Sequence, residues 1–171
     1  MKKISFQADV LPLKNELFRL ALRLTLNRAE AEDVVQETMM KVWNRRSDWD
    51  KIESIEAFCL TTCRNLSLDK LRRMDNQATT LDDEHDPADK SYGANPEEQA
   101  MQRDRVALVR KLIKQLPEKQ RTAMQLRDIE GKSYRDIANV MGISEEQVKI
   151  NIFRARQTVK KEFKQQEEYG L

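Results

Sequence analysis

Apolar residues recur at intervals of three and four in several stretches of the chain, and this spacing predicts amphipathic helices. The first stripe comprises Leu13, Leu17, Leu20, Ala21 and Leu24. Asn27 follows as a candidate N-cap for a second helix, from about residue 29 to residue 46. Turn formers are scarce, because the 171 residues include only four glycines and four prolines. The pattern therefore predicts an all-α protein.

The predicted second helix has one apolar and one polar face. Ala31, Val34 or Val35, Thr38 and Val42 form the apolar stripe, and the other face carries Asp33, Gln36, Glu37 and Met40. An acidic, polar helix face is usually just solvated. Composition alone therefore favours a solvated surface here over a binding surface.

A charged loop from Arg45 to Ile55 separates this helix from a third one that ends near residue 73. Trp49 lies in the loop and could either anchor it on the core or stack on an unpaired base. Along the third helix, one side carries Arg64, Asn65, Lys70, Arg72 and Arg73. The last three cations also complement the helix dipole, which is the alternative explanation for them.

Charge and turn formers divide the chain into two parts. Residues 77–98 hold one basic and seven acidic side chains. By contrast, residues 1–76 hold 14 basic and 12 acidic side chains, and residues 99–171 hold 16 basic and 10 acidic ones. Acids, prolines and few apolar groups predict a flexible linker. We therefore predict two small helical domains, at residues 1–75 and 97–171, joined by an acidic linker at residues 76–96. Asn95 and Pro96 would restart the helical pattern.

Residues 133–156 predict a helix-turn-helix. Ser133 can cap the first helix, and Gly142 supplies the left-handed residue that ends it. Ser144 and Gln147 form a capping box for the second helix. That helix buries a stripe of Val148, Ile152, Ala155 and Val159 and is basic elsewhere. The agreement of caps, turn and charge favours DNA binding over a plain helical hairpin.

Other chemistry finds little support in the sequence. Cys59 and Cys63, with the distant His85, are too few for a structural zinc site, so packing thiols are expected. We expect no cofactor, no metal site and no catalytic role, since no nucleophile site or phosphate loop is apparent. No apolar run suits a signal peptide or a membrane span, so a cytoplasmic bacterial protein without membrane insertion is expected.

Two blocks of the chain resemble one protein family. Region 2 of the bacterial sigma-70 factors is resembled by Ala31-Glu32-Asp33-Val34-Val35-Gln36-Glu37-Thr38, then Val42-Trp43, and by the run from Arg64 to Arg73. Four motifs resemble region 4: Leu116-Pro117-Glu118-Lys119-Gln120-Arg121, Leu126-Arg127-Asp128-Ile129-Glu130-Gly131, Tyr134-Arg135-Asp136-Ile137-Ala138 and Phe153-Arg154-Ala155-Arg156. Both blocks in this order, with only a linker between them, are typical of the small extracytoplasmic-function (ECF) group.

The resemblance implies a sigma factor that binds core RNA polymerase and directs promoter-specific initiation. Asp33, Gln36, Glu37 and Met40 would face the clamp helices of the β′ subunit, and helices 117–141 would grip the β flap. The −10 element, with its melted bases, would be bound by Trp49, Arg64, Asn65, Asp69, Arg72 and Arg73. The −35 duplex would be read by Ser144, Glu146, Gln147, Lys149, Asn151, Arg154 and Arg156. An anti-sigma factor is a further expected partner.

Two other functions compete with this interpretation. A stand-alone helix-turn-helix regulator would explain residues 117–160 but not the first block. Such regulators usually bind DNA as dimers, and the sequence shows no extended heptad pattern for a dimer interface. A protein-interaction adaptor would use both charged faces for protein partners. DNA affinity that barely changes with salt concentration, whatever the DNA sequence, would favour the adaptor.

Overall fold

The structure is a computed structural model that describes residues 3–76 and 96–168. Seven α-helices form the described part of the chain, and the predicted all-α fold is confirmed. They are α1 (Lys14–Thr25), α2 (Arg28–Asn44), α3 (Ile55–Asn76), α4 (Pro96–Lys114), α5 (Glu118–Met124), α6 (Tyr134–Met141) and α7 (Glu145–Glu168). Short 3₁₀ or π-helical turns lie at Phe6–Val10, Leu11–Leu13, Arg46–Lys51 and Gln125–Ile129.

Residues 77–95, which hold all but the ends of the predicted linker, lie outside the described part of the chain. At its borders, α3 continues to Asn76 and α4 begins at Pro96. Both helices therefore extend to the edge of the described ranges. The third helix is three residues longer than the sequence pattern predicted.

Helices α1 and α2 follow the predicted stripe and cap. Leu17, Leu20, Ala21 and Leu24 are buried on α1. The helix ends at Leu26, which has a left-handed φ of 57° and donates its N–H to the Leu22 carbonyl. Asn27 then caps α2 by accepting a hydrogen bond of 3.0 Å from the Glu30 N–H. Only Leu26 and Asn27 therefore separate the two helices, and α2 packs against α1.

Helix α3 completes a three-helix bundle with α1 and α2, and its two cysteines face the core. Both thiols are free and buried, and the Cys63 Sγ lies 3.3 Å from the Leu17 carbonyl oxygen. Burial raises the pKa of Cys59 and that of Cys63 to about 12. These thiols are packing groups, as the sequence predicted.

The loop after α2 closes one end of this bundle. It contains a 3₁₀ turn over Arg46–Lys51, and α2 ends at Asn44, two residues earlier than predicted. Trp49 is only 8% exposed, and its indole N–H donates a hydrogen bond of 3.1 Å to the Val42 carbonyl. Of the two alternatives for Trp49, the structure therefore favours the loop anchor.

The second half of the chain packs around α7. Leu112, Ile113 and Leu116, at the end of α4 and just after it, form a small apolar cluster with Ala155 and Val159 of α7. Helices α5 and α6 pack against the other end of α7. Together they hold the N-terminal half of α7 at the surface of the domain.

The two halves share one core. Ala123, Leu126 and Ile137 from the second half belong to the same buried cluster as Leu17 and Cys59 from the first. Helix α5 contacts α1, and α6 contacts α3. This docking is a tertiary feature that the sequence pattern left open.

Among the described residues, no helix combines the length and apolar character that crossing a bilayer requires. The same part of the chain has no group of three or more acidic, histidine or cysteine side chains placed to hold a metal ion.

Candidate nucleic-acid interface

Helices α6 and α7 form the predicted helix-turn-helix. Ser133 accepts a hydrogen bond of 3.1 Å from the Asp136 N–H, which caps α6. Gly142 ends that helix with a φ of 66°. Ser144 and Gln147 then make both hydrogen bonds of the capping box, at 3.1 and 3.2 Å. These local bonds confirm the predicted caps and fix where α7 begins.

Helix α7 buries one stripe and exposes the rest. Val148, Ile152, Ala155 and Val159 are buried against the domain. Around them, the predicted −35 residues Ser144, Glu146, Gln147, Lys149, Arg154 and Arg156 are exposed, and Asn151 is half-buried. The surface that faces away from the core is therefore continuous and largely polar over three turns.

Several of these polar side chains already have partners within the domain. The Lys149 ammonium lies 5.3 Å from the centre of the Tyr134 ring. The Asn151 amide donates a hydrogen bond of 2.8 Å to the Gln147 carbonyl. Arg156 donates to Asp128 at 3.0 Å, and this hydrogen bond raises the pKa of the guanidinium. Arg156 is thus tied to the domain, whereas Arg154 projects from it.

In the first half, α2 presents the predicted polar face. Asp33, Gln36, Glu37 and Met40 are all exposed and lie on one side of the helix. Met40 is 64% exposed, which is unusual for a large apolar side chain. Lys70 of α3 forms ion pairs with Asp33 and with Glu30, and the hydrogen bond to Asp33 raises the pKa of Lys70.

The predicted −10 residues of α3 divide into two groups. Asn65, Arg72 and Arg73 are exposed, and Asp69 is half-buried and ion-paired with Arg72. Arg64 differs from the sequence expectation of an exposed side. It is 8% exposed, and its guanidinium donates to both carboxylate oxygens of Glu118, at 3.0 and 3.2 Å. Because Glu118 opens α5, Arg64 joins the two halves and is covered by the second.

Trp43 is the exposed aromatic side chain in this region, in contrast to Trp49. It is 45% exposed, its ring packs edge-on against Phe6, and the Arg46 guanidinium lies 4.4 Å from its ring centre. Sequence reasoning assigned no role to this surface position. The signal was available, since Trp43 falls outside the stripe that ends at Val42.

Further ion pairs cross between the halves. Lys132 contacts Glu16 of α1 at 2.5 Å and also pairs with Glu56 of α3. Arg19 of α1 pairs in bidentate fashion with Glu130. Burial lowers the pKa of Lys132, but the two carboxylates outweigh it, so the net shift is upward. The docked arrangement is therefore held by charge as well as by the shared core.

Comparisons with known proteins agree with this architecture. A model of Sigma-70 region 2 matches residues 10–77, and a model of Sigma-70, region 4 matches residues 107–159. The RNA polymerase sigma-H factor of Pseudomonas aeruginosa is 35% identical over 168 residues, covering 93% of this chain and 86% of that protein. The chain belongs to the sigma-70 family. The resemblance found in the sequence is confirmed.

Further relatives place the sigma factor in the ECF group. The ECF sigma factor SigL of Mycobacterium tuberculosis is 33% identical over 142 residues, covering 81% of this chain and 77% of its own. SigM of Bacillus subtilis is 26% identical over 146 residues, covering 85% and 87%. The solved structure of RpoE of Bartonella quintana, bound to the anti-sigma factor NepR, shares the fold. It has a TM-score of 0.73 at 24% identity and covers 91% of this chain and 94% of its own.

Proposed function

We propose that this ECF sigma factor gives core RNA polymerase its promoter specificity by reading two DNA elements. Helix α7 would read the −35 duplex in the major groove, and α3 would bind the −10 region where the strands separate. What supports this most is the arrangement of α7, whose capped N-terminal half projects with a continuous polar surface. The chain would act as a binding subunit, with the chemistry of RNA synthesis left to the polymerase.

Within the −35 reader, Lys149 and Asn151 are the proposed base-edge contacts, and Arg154 is a phosphate contact. Ser144, Glu146, Gln147 and Arg156 complete the proposed surface. Arg156 would act mainly by fixing α7 on the domain, since it is engaged with Asp128. Replacing Lys149 by Ala should reduce discrimination at the −35 element and leave polymerase binding intact. Equal loss on every promoter would contradict the base contact.

Within the −10 reader, Asn65, Arg72 and Arg73 are exposed, so they would reach unpaired bases and phosphates once Arg72 leaves its ion pair with Asp69. Arg64 and Glu118 are bound to each other in the docked arrangement. Use of Arg64 on DNA would therefore require the second half to move away from the first. We propose that polymerase binding separates the two halves, which would release the Arg64 side chain. Asp69, whose side chain is 47% exposed and ion-paired with Arg72, would join it at the −10 element.

The exposed face of α2 is the proposed polymerase contact. Its carboxylates Asp33 and Glu37, with Met40 as an apolar group among them, suit a basic helical partner such as the β′ clamp helices. Gln36 would lie in the centre. The apolar surface of helices 117–141 would supply the β flap contact. An anti-sigma factor is a proposed further partner, because the similar RpoE structure was solved with one.

Charge reversal tests the polymerase contact. The double variant Asp33→Lys with Glu37→Lys should lose core polymerase in a pull-down. Glu32→Lys is the matched control, because Glu32 is equally exposed on α2 but lies on its flank. Unchanged capture by the double variant would remove the assignment.

The decisive experiment is run-off transcription with core RNA polymerase from the source bacterium over a pool of genomic promoter fragments. Initiation at a small, sequence-related subset would establish the proposed function. Tight duplex binding without initiation would favour the stand-alone regulator. Absence of both DNA binding and initiation would favour the adaptor.

A further inference from the structure

Ile150 is an exposed aliphatic side chain on a surface that is largely polar. It is 47% exposed and lies six residues into α7, which begins at Glu145. Its neighbours Val148 and Ile152 point into the core, so Ile150 lies on the opposite side of the helix. It has no place in the buried stripe and no role among the residues assigned above.

The surroundings of Ile150 suit a polyanion with an apolar feature. Ile150 lines a shallow depression together with Ile143, Gln147, Asn151 and two cations, Lys119 and Arg154. Lys119 comes from α5, so the cations belong to different helices. Phosphate groups complement these cations, and the apolar side chains that line the same depression would contact the base edges between the two DNA backbones.

The polar side chains beside Ile150 are partly engaged already. The Gln147 side chain accepts the Ser144 N–H, the Asn151 amide is bound to a backbone carbonyl, and the Lys149 ammonium lies near the Tyr134 ring. Ile150, by contrast, needs no rearrangement to meet a partner. In the major groove, the apolar partner for such a side chain is the 5-methyl group of thymine.

We propose that Ile150 selects a thymine in the −35 duplex by packing against its 5-methyl group. The inference rests on the proposed function and names one base preference within it.

The test uses the complete chain in complex with core polymerase, on a promoter obtained from the run-off experiment. Each thymine of the −35 duplex is replaced in turn by deoxyuridine, which removes only the methyl group. Wild-type complex should lose about four-fold in affinity at one position, the effect of one buried methyl group. Ile150→Ala should abolish the response at that position and leave all others unchanged.

Phe153→Ala is the control variant, because Phe153 is also exposed on α7, one turn further on. It should keep the wild-type deoxyuridine response. The inference is overturned if no position responds to deoxyuridine, or if Ile150→Ala responds as strongly as wild type. The proposed function fails separately, if the complex does not initiate at a sequence-related set of promoters or if its affinity does not depend on −35 sequence, so the two failures are distinguishable.

Discussion

Lys132 joins the two halves of the molecule, and replacing it by Met tests whether charge holds them together. Its side chain is 15% exposed and lies between Glu16, which is 14% exposed, and Glu56. Removing the cation leaves the Glu16 carboxylate buried and without its countercharge. Breaking a buried pair from one side costs about 3–5 kcal/mol. Glu56 is 43% exposed and can turn to water, so its side of the interaction costs less. We therefore expect the free energy of unfolding to fall by about 2–3 kcal/mol.

The assay is urea unfolding at neutral pH, with small-angle scattering to follow separation of the halves. Arg135→Met is the matched control, because Arg135 also pairs across the halves, with Glu53 at 3.7 Å, but both side chains are largely exposed. Arg135→Met should lower the free energy of unfolding by less than about 1 kcal/mol. Adding Glu16→Gln to Lys132→Met should restore part of the stability, since the unpaired charge is gone.

Two results would refute this reasoning. Equal losses in the Lys132→Met and Arg135→Met variants would mean that burial does not set the strength of these pairs. A double variant with Glu16→Gln that is no more stable than Lys132→Met would mean that the unpaired Glu16 carboxylate is not the source of the loss.

Three further predictions concern single features. Trp49→Phe should lower the free energy of unfolding by about 1–2 kcal/mol, because the indole hydrogen bond is lost and the ring is smaller. Binding of the −10 element per folded molecule should stay unchanged. Loss of −10 binding at full stability would support base stacking instead. The folded thiols have pKa values near 12, above the ordinary 9.0, so the folded state holds protons that the unfolded chain releases. Stability should therefore fall from about pH 9 towards pH 12 by more in wild type than in a variant with Cys59→Ala and Cys63→Ala, and parallel curves would contradict this. Gly142→Ala should lower the free energy of unfolding by about 1–2 kcal/mol, measured in urea. Space for the methyl group is free, so the loss comes from the left-handed backbone alone, with φ of 66°. An unchanged midpoint would show that the turn relaxes.

The sequence determined the local features of this protein, because their partners lie within a few residues. The cap at Asn27, the cap at Ser133 and the capping box at Ser144 each join groups three residues apart, and the left-handed turn at Gly142 needs no distant contact. Helical periodicity likewise predicted the buried stripe of α7. The family resemblance then supplied the expected function, which periodicity could not.

Only the tertiary structure decided what happens to residues whose partners are distant in the chain. Arg64 meets Glu118 across 54 positions, and Lys132 meets Glu56 across 76. No local pattern marks such pairs, since a basic residue on a helix side is equally compatible with solvent, with DNA or with a carboxylate on another helix. Trp49 is a similar case, because whether an aromatic loop residue is buried depends on how the loop folds back onto α2. Exposure of Ile150 follows from the same packing, which leaves one aliphatic side chain of α7 outside the core.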